Sequence, residues 1–380
     1  MHIAALLPRT DKPEKNETRG ILIRTACALT LAGICLFFAA LAKAHPALVS
    51  RFYRPRSQAV SAFFARTFSF VRISVFEIIV YLLLLFSFGT MIRVVVLAVR
   101  RRSFRPFLSW LSSAALTGAC FLYVFIAIWG LNYFAPPLIE RLDRYAGPLS
   151  AELLYDTAVW LRDEMNHLAP QVPRDTLGVC DAGGFDVLAA HAGLGYAALS
   201  GENDVFSGLL SPPKRMAVPS FLSRMNISGI YIPFTGEAVV DSSAIDAHLP
   251  FTMCHELAHR MGYAPEDEAN FLAFLACDRH PDAVFRYSGY HLAFIHCANA
   301  LRRIDAELSN RLWDEVSPLA VADMRAQNER LKSFEGPLQS AGEKVNDHYL
   351  KAVGQEEGVK SYGLVVDLLV AEYLDRFEKR

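Results

Sequence analysis

Apolar positions along this chain fall into three long unbroken runs in its first third, and into helical or strand-like stripes after that. Ile21 to Ala42 is broken by one charge, Arg24; Val75 to Val99 carries Glu77 and Arg93 near its ends; Phe107 to Asn132 carries none. Core helices of soluble domains are apolar on one stripe only, whereas these runs are apolar all round. Each is long enough, at about 1.5 Å per residue, to cross a hydrocarbon layer of about 30 Å. The pattern predicts transmembrane helices over about 21–42, 75–99 and 107–131. Trp110 and Trp129 would stand about 28 Å apart on the third helix, the separation of anchors at two membrane interfaces. A cleaved signal peptide does not fit, because the first run is long for one and two more follow it.

From Tyr133 the pattern is that of a water-exposed domain. Ala135-Pro136-Pro137 ends the third helix. Ser150 is placed to cap an amphipathic helix that runs to near Pro170. Residues 171–225 are rich in Gly, Pro and Ser, with a short helix around 186–198. Ile227 to Asp241 has β-branched and aromatic content, and its Pro233 and Gly236 point to an edge strand or hairpin. Helices are expected at about 248–261, 266–279, 285–306, 318–333 and 361–378. The expected fold is mainly α: a membrane region over 1–132, then an α-rich (α+β) domain over 133–380 with a small edge strand or hairpin.

Composition agrees with two such parts. The chain is 53% hydrophobic and 20% charged, with a mean hydropathy of +0.23, between the values of a membrane-embedded chain and a soluble one. Its 38 Lys+Arg against 39 Asp+Glu remove the electrostatic reason to expect nucleic acid as a partner. The expected partners are the lipid bilayer and a peptide or protein. Seven scattered cysteines make no disulfide scaffold and no thiolate cluster for a metal. Four arginines between Arg100 and Arg105, with the basic N-terminal tail, favour a cytoplasmic N-terminus and an extracytoplasmic domain. The loop between the first two spans is also basic, so the two sides nearly balance.

The chemistry concentrates in one stretch, His255-Glu256-Leu257-Ala258-His259. Two imidazoles at i and i+4 project from one face of a helix and can share a Zn²⁺. Glu256, beside the first, is placed to take a proton from water activated by that metal. Gly262 should end the helix. A turn at Tyr263-Ala264-Pro265 leads to a second helix whose Glu266 and Asn270 are again i and i+4. Glu266 could supply the third ligand, while Asn270 hydrogen-bonds a ligand imidazole from behind. Glu268 is the alternative third ligand. Hydrolysis at zinc also wants a donor for the developing oxyanion, and by residue type the candidates are Tyr290, His291, His348, Tyr349 and Tyr362. Cys254, Cys277 and Cys297 are expected to be buried.

The helix pair resembles that of the gluzincin metallopeptidases, which carry His-Glu-x-x-His followed by Glu-x-x-x-Asp/Asn on the next helix. Here Asn270 stands where thermolysin-like enzymes carry Asp, and the spacer is shorter. More widely the chain is similar to an uncharacterised bacterial family of three-span membrane proteins with this motif. That likeness is carried by Trp129-Gly-Leu-Asn-Tyr133, Ser228 to Glu237, His255 to Phe274, and Val345 to Lys351 through Ser361-Tyr362. It implies a zincin-like domain on an integral membrane protein of the bacterial cell membrane, with Zn²⁺ as cofactor and peptide hydrolysis as activity. In zincins an edge strand before the metal helix pairs with extended substrate. The competing reading is a non-catalytic membrane scaffold or sensor with structural zinc, which would need a fourth protein ligand such as His280.

Overall fold

The computed structural model describes residues 11–142, 150–352 and 365–377. The chain divides into two units, Met1–Ala44 with Ile78–Ala127, and His45–Glu77 with Ile128–Arg380. The fold is mainly helical, with three apolar helices towards the N-terminus and a small three-stranded sheet.

The first unit holds most of α1 (Asp11–Ala44), α3 (Val75–Arg101) and α4 (Arg105–Ile128). Three helical stretches, Asn16–Ala44, Val75–Arg101 and Arg105–Ile128, are long and apolar enough to cross a membrane. Their outward surface is Leu, Ile, Val and Phe. Arg24, the charge inside the first run, is answered from within: its guanidinium donates to Ser112 Oγ at 3.0 Å and Ser109 Oγ at 2.8 Å on α4. An arginine on a lipid-facing helix needs such partners. Trp110 Nε1 donates to Thr90 Oγ1 at 3.2 Å, tying α4 to α3.

The second unit is built from two stretches of chain. Its first stretch includes α2 (Arg54–Thr67), which buries Arg54, Ser57, Ser61 and Ala65. Residues 45–77 would read as a simple loop between spans, yet they fold with the domain. Its second stretch begins with Trp129, which is buried rather than set at a lipid interface. The third apolar helix stops at Ile128, so the expected anchor role does not hold for Trp129. Its indole packs on Tyr133, Tyr231 and His259 instead.

Ser150 Oγ caps α5 (Ala151–Leu168), accepting from Leu153 N at 3.1 Å. Leu154, Ala158, Leu161, Met165 and Leu168 form its buried stripe at helical spacing. Two short helices, Phe185–His191 and Leu194–Leu199, follow. The sheet consists of β1 (Lys214–Arg215), β2 (Gly229–Ile232) and β3 (Glu237–Val240) in the order β1-β3-β2. β2 and β3 are an antiparallel hairpin with Ile230 opposite Val239, and β1 pairs parallel with β3. β2 therefore lies at an edge. Glu237 binds the hairpin to the start of α3: its carboxylate accepts from Val75 N at 3.0 Å, Phe76 N at 3.1 Å and Lys214 Nζ at 2.7 Å. A carboxylate at a helix N-terminus is favoured by the exposed N–H groups and the dipole there.

The helices α6 (Leu249–Arg260), α7 (Glu266–Asp278) and α8 (Ala283–Ile304) form the centre of the core. Every residue of α6 except Thr252 is buried, as are Phe271 and Phe274 of α7. Gly262, at φ +84°, ends α6 in the left-handed region that favours glycine. Pro265 caps α7 just before its first turn. Around this core lie α9 (Ala306–Trp313), α10 (Pro318–Lys332), α11 (Pro337–Ala352) and α12 (Val365–Phe377). All seven cysteines are free, with Cys254, Cys277 and Cys297 buried.

Candidate metal centre

Because α6 is a regular helix, His255 and His259 face the same way, with ring centroids 4.6 Å apart. The Gly262 turn reverses the chain so that the first residue of α7 comes back over them. Glu266 Oε2 lies 3.2 Å from His255 Nε2 and 3.7 Å from His259 Nε2. Ligand atoms of these three buried residues lie within 4.8 Å of one another, the one such group among the described residues.

The far side of each ring is fixed. His255 Nδ1 pairs with Asn270 Oδ1 at 2.8 Å, and His259 Nδ1 with the Tyr263 carbonyl at 2.7 Å. Oxygen acceptors there hold a proton on each Nδ1, which leaves Nε2, the atom that faces Glu266, as the nitrogen able to bind a metal. Trp129 Nε1 donates to the His259 carbonyl at 3.1 Å, bracing the end of α6. Arg260 adds a second brace, donating to the Gly236 carbonyl at 3.1 Å.

Electrostatics follow from burial and this geometry. Burial would lower the His259 pKa, but the Glu266 carboxylate outweighs it and raises it to about 9. Burial acts to raise Glu266, yet the His259 and His255 imidazoles hold it well below the usual carboxylate range. Burial pushes Glu256 up to about 7. Glu256 Oε2 is buried without a hydrogen-bond partner. Two imidazole nitrogens, each with its other ring nitrogen already committed, and a carboxylate oxygen converge here, and they fit Zn²⁺ in ligand type and number.

The other expected residues divide. Glu268 turns away from the cluster, accepting from Leu138 N at 2.7 Å, and burial raises its pKa to about 7. His280 is engaged elsewhere, its Nε2 on the His191 carbonyl at 3.0 Å. Tyr290 donates to Asp278 at 2.6 Å. His291 is buried beside His248 and Tyr287. His348 is bound to the Lys344 carbonyl on its own helix. Tyr362 lies outside the described residues. Of these, Tyr349 alone feels the Glu266 charge, which adds to the desolvation that raises its pKa to about 12; its hydroxyl is 3.1 Å from that of Tyr133.

Two neighbours of the site are not apparent from spacing. His296 on α8 has its pKa lowered to about 4, mainly by burial and further by His255. Gly229 on β2 lies against Glu256; a Cβ there would stand 2.5 Å from Glu256 Oε1. An isolated glycine within a strand pattern is the signal for such a close approach. A separate cavity of about 330 Å³, lined by Arg72, Asp186, Ser211, Lys214 and Arg260 among others, includes none of the three donors.

Residues 52–370 match a family model described as a protein of unknown function, DUF3810. No curated protein and no solved structure matches the chain.

Proposed function

The chain belongs to that family, and from its own residues we propose that it is a membrane-anchored zinc-dependent metallopeptidase. The observation that carries this reading is the convergence of His255, His259 and Glu266 beside a buried, unpartnered Glu256 oxygen. His255 Nε2, His259 Nε2 and Glu266 Oε2 would hold the metal. Zinc bound there supplies Lewis acidity, which polarises a carbonyl and eases deprotonation of water.

Glu256 Oε2 takes the proton from the attacking water and returns it to the departing amine nitrogen. The edge of β2 offers backbone groups to an extended peptide, and Gly229, having no side chain, lets that strand lie directly against Glu256. Tyr349, which feels the Glu266 charge, and His296, which feels His255, are the candidates to donate to the developing oxyanion. The absence of a fourth protein donor among the described residues favours an open coordination position over a structural site.

We place the domain on the extracytoplasmic side. The densest basic cluster, Arg100–Arg105, lies in the short turn between the second and third apolar helices and, with the basic tail, favours the cytoplasmic side for those segments.

The test is Glu256→Gln in the full-length protein, assayed for zinc content and for cleavage of a mixed peptide library. Zinc retained with cleavage abolished is the expected result. Cleavage at the wild-type rate would sink the assignment of Glu256.

A further inference from the structure

The helix α2 is packed with its polar side inward. Residues at 54, 57, 58, 61 and 65 share one face of a 3.6-residue helix, and they are Arg54, Ser57, Gln58, Ser61 and Ala65. All of these are buried except Gln58, which is half-buried. Each has a partner or a close neighbour in the domain. The Arg54 guanidinium lies 4.6 Å from the centre of the Tyr263 ring. Gln58 Nε2 donates to the Met261 carbonyl at 2.8 Å. Ser57 Oγ accepts from Asn132 at 3.0 Å, and the Ser61 hydroxyl bonds that of Tyr231.

The opposite face is apolar and basic. Phe63 points directly away from Arg54 and is 64% exposed; Phe52 and Phe70, just beyond the helix, are 46% and 81% exposed. Arg51, Arg56, Arg66 and Arg72 are exposed among them. No Asp or Glu occurs from Lys43 to Arg72. A helix at a water-exposed surface would place its phenylalanines inward and its serines outward. This order is inverted, on a segment whose two ends lead directly into the apolar helices α1 and α3.

We propose that residues 51–72 form an interfacial surface for anionic phospholipid. Phe52, Phe63 and Phe70 enter the boundary between headgroups and acyl chains. Arg51, Arg56, Arg66 and Arg72 bind headgroup phosphates, for which guanidinium geometry is suited. Aromatic residues beside clustered arginines, free of acids and joined to two long apolar helices, complement anionic headgroups on whichever face they meet. The inner face of α2 holds Met261, Tyr263 and Tyr231 at the same time, so the lipid contact and the support of α6 lie on opposite sides of one helix.

The test uses the full-length protein carrying Arg51, Arg56, Arg66 and Arg72 all changed to Gln, and separately Phe63→Trp. In native mass spectrometry with phosphatidylglycerol and phosphatidylcholine offered together, wild type retains phosphatidylglycerol preferentially. The fourfold variant loses most of that preference, although its Arg100–Arg105 turn is intact. In vesicles of the same lipids, Phe63→Trp adds fluorescence that brominated acyl chains quench. Undiminished phosphatidylglycerol retention in the fourfold variant, or added fluorescence that brominated lipid leaves unquenched, overturns the proposal.

Discussion

Gly229 and Glu256 leave no room for a side chain between them: a Cβ on Gly229 would meet Oε1, Cγ and Cδ of Glu256 at 2.5, 2.8 and 2.9 Å. Gly229→Ala must therefore push the carboxylate aside while leaving the three metal donors in place. The expected outcome is unchanged zinc content with a fall in peptide cleavage on the order of 10²-fold, the scale of an ångström-sized misplacement of a catalytic group. Metal analysis and turnover on the same preparation check it, and full activity would show that Glu256 has another way to reach the substrate.

Glu266 and Glu268 stand two residues apart and have opposite expected phenotypes. Glu266→Ala removes an oxygen that faces both imidazoles, and zinc should fall from about one per chain to background. Glu268→Ala removes an acceptor of Leu138 N, so it should retain zinc and lose thermal stability instead. Inductively coupled plasma analysis of the two proteins, beside wild type, separates them.

In the proposed site Asn270 would act on the metal only through His255. Without the 2.8 Å contact to Nδ1, the ring loses its orientation and its preferred tautomer. Asn270→Ala should weaken zinc affinity by about 10–100-fold. Competition with a chromogenic chelator measures this, and an unchanged affinity would mean that the contact does not orient the ligand.

Acid sensitivity should arise in part from His291, far from carboxylate chemistry. Burial, with the Arg174 charge, lowers its pKa from 6.5 to about 3 in the folded chain. Below pH 6.5 the unfolded chain takes up a proton that the folded one does not. The stability contributed by the neutral ring is thus complete above pH 6.5 and is lost as pH falls towards 3. Between pH 6.5 and 5 this amounts to about 2 kcal/mol. His291→Leu should be flatter over that interval than wild type in thermal unfolding of the full-length protein; parallel curves would count against it.

The three long apolar helices and the His255–His259 helix are legible because each is written in local spacing. The i, i+4 pairs His255/His259 and Glu266/Asn270 needed only a regular helix and one tight turn to meet. Tyr349 and His296 are harder to read, since separate elements bring them within electrostatic reach of Glu266 and His255 and no spacing records that. The helix Pro337–Ala352 has only a thin apolar stripe and did not stand out as a helix. Residues 45–77 read as a loop because their phenylalanines face outward and their small residues inward, the reverse of the pattern that signals a packed helix. Trp129 matched an interfacial anchor by distance alone, but the helix ends one residue before it.

The Glu237 carboxylate receives Ser74, Val75 and Phe76 from one stretch of chain and lies in the hairpin of another. The domain is therefore interrupted by Ile78–Ala127, and its first piece leaves the ribosome before the second exists. At about 5–20 residues per second, His45–Glu77 waits some seconds for its partner while the intervening hairpin is made. Both ends of that hairpin must then emerge on the same side for the two pieces to meet. Where the helices of that hairpin span a membrane, completion of the domain is conditional on their insertion with both ends on one side, and a chain threaded otherwise is left with the Glu237 carboxylate and the inner face of α2 uncovered.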